Sequence, residues 1–170
     1  MHRKSKALWC CFALITVFLS QASAQSRGPS TAEERARVVQ IAKSLRTDPT
    51  ATAVQSDREW LLKWLIEVPD VSISLCPAIL GDLGNSKTGY PGALLATMMA
   101  SQAAFVIENP NKAKDKSGAY LAGLEGALDG YQAIQAKDQN YRLPNMDDLL
   151  RKRADGKLQE YLRSATKRCK

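Results

Sequence analysis

Histidine is almost absent from this chain: of 170 residues only His2 is one, and it stands in a segment expected to be removed. Ser-His-Asp and Cys-His catalysis need an imidazole that titrates near neutrality, and most zinc and copper sites use imidazole as a ligand. Those chemistries are excluded from the remainder, apart from variants built without imidazole. Nor do the acidic residues form a run with alternating oxygen ligands, so a calcium loop is not indicated. No catalytic residue, metal site or cofactor is expected. Long apolar runs are missing as well: the longest, Ala7 to Leu19, holds 13 residues against the roughly 20 that span a bilayer core.

That run is framed as a leader. His2, Arg3, Lys4 and Lys6 form a positive n-region before it, and Ala22-Ser23-Ala24 offers small side chains to signal peptidase. Residues 1–24 therefore read as a signal peptide cleaved after Ala24. Residues 25–29 then form a flexible N-terminus and residues 30–170 a single domain. Cys10 and Cys11 lie inside the run and not at the cleavage point, so they leave with the leader and no lipid anchor is expected. The mature protein is expected to be periplasmic or extracellular and not transmembrane.

Cysteine is then reduced to Cys76 and Cys169. In an oxidising compartment one disulfide is the natural reading; a reactive thiol or an intermolecular bridge is the alternative. On chain-entropy grounds, a bridge closing so long a loop stabilises by roughly 4 to 5 kcal/mol. A mature chain of 146 residues fits one domain, burying about 68 to 70% of its unfolded surface. Its charge falls to +4, from 21 basic and 17 acidic residues. The charge is polarised: residues 151–170 carry eight basic and two acidic groups, residues 25–150 thirteen and fifteen.

The pattern along the chain is helical. Ser30 and Thr31 precede Glu33 and Glu34 at capping-box spacing, predicting a helix over Thr31 to Leu45 with Val38, Ile41, Ala42 and Leu45 inward. Asp48-Pro49 interrupts it. Ser56 and Glu59 repeat the capping pattern before Trp60, Leu61, Leu62, Trp64, Leu65, Ile66 and Val68, a helix apolar nearly all round and therefore expected to be central and buried. Val71 to Leu75 alternates like a strand but has no partner elsewhere, so a short helix ending near Leu80 is expected instead. A helix over Ala93 to Ile107 follows, carrying Leu94, Leu95, Met98, Met99, Phe105 and Val106 and expected to be a core helix, and then one over Ser117 to Ala136 striped by Tyr120, Leu124, Leu128 and Tyr131. Gly123, Gly126 and Gly130 each cost that helix roughly 1 kcal/mol against alanine, and close approach of a neighbouring helix is the ready compensation. Asn145 and Asp155 are plausible N-caps for Met146 to Arg153 and Gly156 to Arg168. Leu158, Leu162, Ala165 and Cys169 share a face, turning Cys169 toward the core and toward Cys76.

Four motifs invite chemistry, and each has a plainer reading. Gly81 to Thr88 falls one residue short of a phosphate-binding P-loop, with Ser86 where glycine is required before Lys87-Thr88; a surface loop is the better account. Ser164 and Lys167 match Ser-x-x-Lys, the one nucleophile-and-base pattern available without histidine, but no companion motif accompanies them. Glu67, Asp70 and Asp82 could pair with Glu125 or Asp129 as a glycosidase would need, although seventeen carboxylates make some pairing inevitable. Trp60 and Trp64, one turn apart, could stack on a sugar or an apolar ligand, with core packing the stronger reading.

The terminal segment offers a possible contact for an anionic partner or surface through Arg151, Lys152, Arg153, Lys157, Arg163, Lys167 and Arg168. Cations near a helix C-terminus also complement its dipole, so a solvated helix end is the plainer account. Nothing points to specific nucleic-acid recognition.

The run Trp60 to Asp70, Cys76, the turn Ile107-Glu108-Asn109-Pro110 and the last cysteine resemble those of exported bacterial helical proteins. In size, leader, helical content and late cysteine the chain is also similar to the Rap1a/Tai immunity proteins, a resemblance that implies neutralisation of secreted effectors by binding. The expectation is an all-α, single-domain, irregular bundle of about five to seven helices, stapled between Cys76 and Cys169 and acting as a protein-binding module. Two rivals stand beside it. A histidine-independent cell-envelope hydrolase needs convergent carboxylates, and a carrier of a small apolar ligand needs Trp60, Trp64, Met98 and Met99 to line one cavity.

Overall fold

A computed structural model describes residues 27–81 and 89–169. The expected leader and all of the P-loop-like segment except Gly81 lie outside the described residues. Seven α-helices and no strand are found among those described: α1 (Ala32–Thr47), α2 (Gln55–Glu67), α3 (Pro77–Leu80), α4 (Pro91–Glu108), α5 (Lys116–Lys137), α6 (Pro144–Ala154) and α7 (Leu158–Thr166). Single 3-10 turns at Thr52–Val54 and Pro110–Lys112 lead into α2 and toward α5. None of these helices is long and apolar enough to cross a membrane.

α1 starts as its sequence dictates. Thr31 Oγ1 accepts from the Glu34 N–H (3.2 Å) while the Thr31 N–H donates to Glu34 Oε2 (3.0 Å), satisfying two amides that a helix start leaves bare. That backbone N–H also holds the Glu34 carboxyl below its usual range. Arg27, in the segment expected to be flexible, is anchored by an ion pair with Glu34 and lies over the Trp64 ring.

Three expected caps are displaced. α2 begins at Gln55 behind Val54, with no side-chain cap, because the preceding 3-10 turn runs directly into it and buried Val54 fixes the angle; Ser56 is exposed inside the first turn. α6 begins at Pro144, whose fixed φ suits a first helical position, so Asn145 lies one residue inside. Asp155 ends α6 instead of starting α7: the Gly156 N–H donates to Arg153 O and the Lys157 N–H to Lys152 O, a Schellman ending in which Gly156 takes φ +69°.

Of the two helices expected in the core, α4 is central and α2 is not. α2 buries only Leu61 and Trp64, whereas α4 buries eleven of its eighteen residues. One face of α4 sends Leu94 and Met98 into a cluster with Leu124, Leu128, Tyr131, Met146, Leu149, Leu158 and Leu162. Its other face, Ala96, Ala100, Ala103, Ala104 and Val106, meets Val38, Ile41, Leu45, Leu61, Trp64 and Val71. Small residues let helices close in on both sides, so α4 and not the bulkier α2 is central.

The glycines of α5 serve that approach. A Cβ on Gly126 would stand 2.0 Å from Ser101 Oγ and 2.6 Å from Ser101 Cβ; one on Gly123 would stand 2.6 Å from Gln102 Cγ. Tyr131, fully buried on the same helix, donates its hydroxyl to Asp147 Oδ1 (2.9 Å) and accepts from the Leu143 N–H (2.8 Å), tying α6 to α5; burial pushes its pKa up.

The bridge expected from helical phase is present. Cys76 and Cys169 are joined with Cα atoms 5.5 Å apart, Cys76 being buried, and Leu158, Leu162 and Ala165 turn inward on α7. The Tyr161 hydroxyl donates to Ile79 O (2.8 Å) and holds the same helix against α3.

Gly126→Ala is expected to lower unfolding free energy by about 1 to 3 kcal/mol in denaturant titrations, overpacking outweighing helix propensity. Gly92→Ala, which meets open space, should be neutral or stabilising by up to about 1 kcal/mol. Gln102 is fully buried, and neither its Oε1 nor its Nε2 has a hydrogen-bond partner among the described residues. Gln102→Met should therefore stabilise by about 1 kcal/mol, measured the same way.

Candidate functional site

The one-sided packing of α2 leaves an apolar ridge in solvent. Ile66 is 85% exposed and Leu62, one turn earlier, 39%, the two meeting at i, i+4 spacing. Beneath them the helix is fixed: Trp60 and Trp64 stack with centroids 5.9 Å apart, the Arg37 guanidinium lies 4.1 Å over the Trp60 ring, and Arg37 also binds Asp57 (3.0 Å). Glu59 and Glu67 are exposed on the same helix, with Lys63 3.8 Å from Glu67.

The far end of α2 is clamped. Asp70 accepts from the Ser30 N–H (2.8 Å), the Ser30 hydroxyl (2.8 Å) and the Arg35 guanidinium (2.7 Å), which joins the start of α1 to the exit of α2. The Ser30 backbone N–H, aided by its hydroxyl and Arg35, holds the Asp70 carboxyl down from 3.8 to about 2.

The carboxylates suggested for a hydrolase are dispersed. Asp70 is bound at the Arg35 end of α1, while Asp129 receives Arg46 (2.6 Å) from its other end and Arg153 (2.7 Å) from α6. Arg35 and Arg46 are eleven residues apart, roughly 16 Å along a helix, beyond the spacing at which two carboxyls flank a glycosidic bond. Glu67 faces Lys63, and Asp82 lies outside the described residues. Ser164 and Lys167 are both exposed and share no hydrogen bond, so no nucleophile-and-base pair forms. The residues suggested for a ligand cavity divide as well: Met98 belongs to the cluster beneath α5 and Trp64 to the one beneath α1.

No family model, curated protein or solved structure matches the chain.

The seven basic residues suggested for an anionic contact differ in what they already bind. Arg153 is turned inward to Asp129 and Gln132; Arg151 and Lys152 share Asp148; Lys157 lies 3.4 Å from Asp155. These pairings leave Arg163, Lys167 and Arg168 on α7 and its end without an acidic partner among the described residues. The Lys152 ammonium holds Asp148 below its ordinary range. The ridge on α2 escaped the sequence reading because a helix apolar nearly all round carries no mark of which side will be left bare.

The Asp70 clamp has a defined pH signature. Its carboxyl is depressed in the folded state, so its stabilisation is complete above about pH 4 and is lost as pH falls through about 2. Asp70→Asn should lower stability at neutral pH and flatten the acid limb of the pH–stability curve between pH 4 and 2; urea midpoints across that range measure both.

Proposed function

We propose that the chain is an exported helical module that binds a partner protein through the Leu62–Ile66 ridge of α2. The observation that carries this reading is the 85% exposure of Ile66 beside a second exposed aliphatic side chain, on a helix otherwise locked in place. Isolated exposed aliphatics are ordinary; two at one-turn spacing form the kind of anchor that an amphipathic partner helix covers. Burying both is worth on the order of 3 kcal/mol, or about two decades of affinity.

The flanking charge selects the partner. Glu59 and Glu67 stand along the ridge while Lys63 is drawn toward Glu67, so the complement is an amphipathic segment with two aliphatic anchors and a basic flank. Export is supported by the leader pattern and by the bridged Cys76 and Cys169, and a binding role agrees with what the resemblance to the Rap1a/Tai immunity proteins implies.

A photo-crosslinking residue in place of Ile66, introduced into the protein in its native host, tests the reading. The expected result is an adduct with one exported protein whose purified form binds the wild type and is weakened at least about thirtyfold by Ile66→Glu, while that variant unfolds like the wild type. Absence of an adduct, binding indifferent to Ile66→Glu, or an adduct only with a second copy would overturn it.

A further inference from the structure

On the opposite side of α4 from the ridge, the first turns of α5 and the outer face of α7 wall a groove of about 290 Å³. Its floor is apolar: Leu162 is buried, and Tyr120 and Leu121 are half-buried. Its walls bring together residues that lie far apart in sequence, Asp115 and Ser117 from α5 and Gln159, Arg163 and Thr166 from α7.

The polar groups are not satisfied by one another. Asp115 Oδ1 accepts from the Gly118 N–H (3.0 Å) as the cap of α5, and Thr166 Oγ1 donates to Leu162 O (2.8 Å). The side chains of Ser117, Gln159 and Arg163 make no hydrogen bond to any described residue, and Asp115 and Arg163, although they line one groove, form no ion pair. Opposite charges thus line one groove, both exposed and unpaired with each other, beside an apolar floor. A ligand that carries both charges around an apolar body complements such a surface; a polyanion would meet Asp115, and a neutral apolar molecule would strip water from both charges without return.

We propose that this groove binds a short zwitterionic peptide, with the terminal carboxylate on Arg163, the ammonium on Asp115 and an aliphatic side chain on Leu121 and Leu162. Two or three extended residues set the terminal charges about 7 to 10 Å apart, whereas a free amino acid holds both on one carbon, too close to reach two residues that do not pair with each other. A guanidinium receives a carboxylate through two parallel N–H bonds. The site is preorganised, because α7 is fixed by the Cys76–Cys169 bridge and by Tyr161 on Ile79 O.

Calorimetric titration of the oxidised protein with the tripeptide Ala-Leu-Ala tests this, in free, C-amidated and N-acetylated forms. Amidation is expected to weaken binding about tenfold in the wild type and to have no effect in Arg163→Gln, which binds the free peptide as weakly as the wild type binds the amide. Acetylation should do the same in the wild type and nothing in Asp115→Asn, a change that keeps a good helix cap while removing the charge. No saturable binding up to about 10 mM, or equal binding of all three peptides by the wild type, overturns the proposal. The α2 ridge takes no part in these measurements, so its test stands or falls separately.

Discussion

Where α5 crosses α4, Gly126 presents hydrogen at a point that any other residue would fill with carbon, and Ser101 occupies the space so released. Gly123 makes the same room for Gln102 three residues earlier on α5. This approach lets one helix serve two clusters, with bulky side chains directed to the α5–α7 side and alanines to the α1–α2 side. Had α5 stood one side chain further out, Tyr131 would lose the burial that positions its hydroxyl between Asp147 and the Leu143 N–H, and α6 would lose its tie to the bundle. The position of α7 follows from that of α5, through Leu158 and Leu162 in the shared cluster.

Charge works on this frame from outside. Asp129 receives two arginines from different helices, Asp48 receives Lys137, and Asp70 gathers Ser30 and Arg35. Such partly exposed pairs are worth little singly, so their main effect is orientation: each fixes the angle at which a helix end meets its neighbour. The same bookkeeping changes the meaning of the basic C-terminal segment. Four of its seven candidate contacts have an acid beside them, and the three without an acidic partner among the described residues stand on α7 and its end, beside the groove that Arg163 lines.

Much of the fold was legible where a residue can act in only one way. The Thr31–Glu34 capping box, the break at Asp48-Pro49, the glycines of α5 and the inward face carrying Cys169 each follow from local chemistry that tertiary packing did not alter. The core role of α4 was legible from its apolar run; what misled was giving α2 the same standing, since Arg58, Glu59, Lys63 and Glu67 leave it one polar side, and its bulky Trp60, Leu65 and Ile66 hold neighbours at a distance where alanine and serine admit them. The Schellman ending at Gly156 was within reach of the sequence, since a glycine just beyond Arg151-Lys152-Arg153 is a helix stop; the competing reading of Asp155 as a cap obscured it. Neither surface could be foreseen residue by residue. The ridge is defined by what fails to cover it, and the groove unites Asp115 with Arg163 across 48 positions of chain.

The division of the core also bears on how the two surfaces relate. Leu62 and Ile66 stand on a helix rooted in the α1–α2 cluster, whereas the groove is floored by Leu162 in the α5–α7 cluster, and the two clusters meet on α4. From Ala93 to Glu108 that helix contains neither glycine nor proline, and eleven of its residues are packed, so it offers no hinge through which one face could bias the other. Coupling through a helix of this kind needs two alternative arrangements, and α4 has packing for one, so what links the two halves beside it is the direct contact of α1 with α5, through Gly130 against Leu45 and Pro49 and through the Arg46–Asp129 and Lys137–Asp48 pairs.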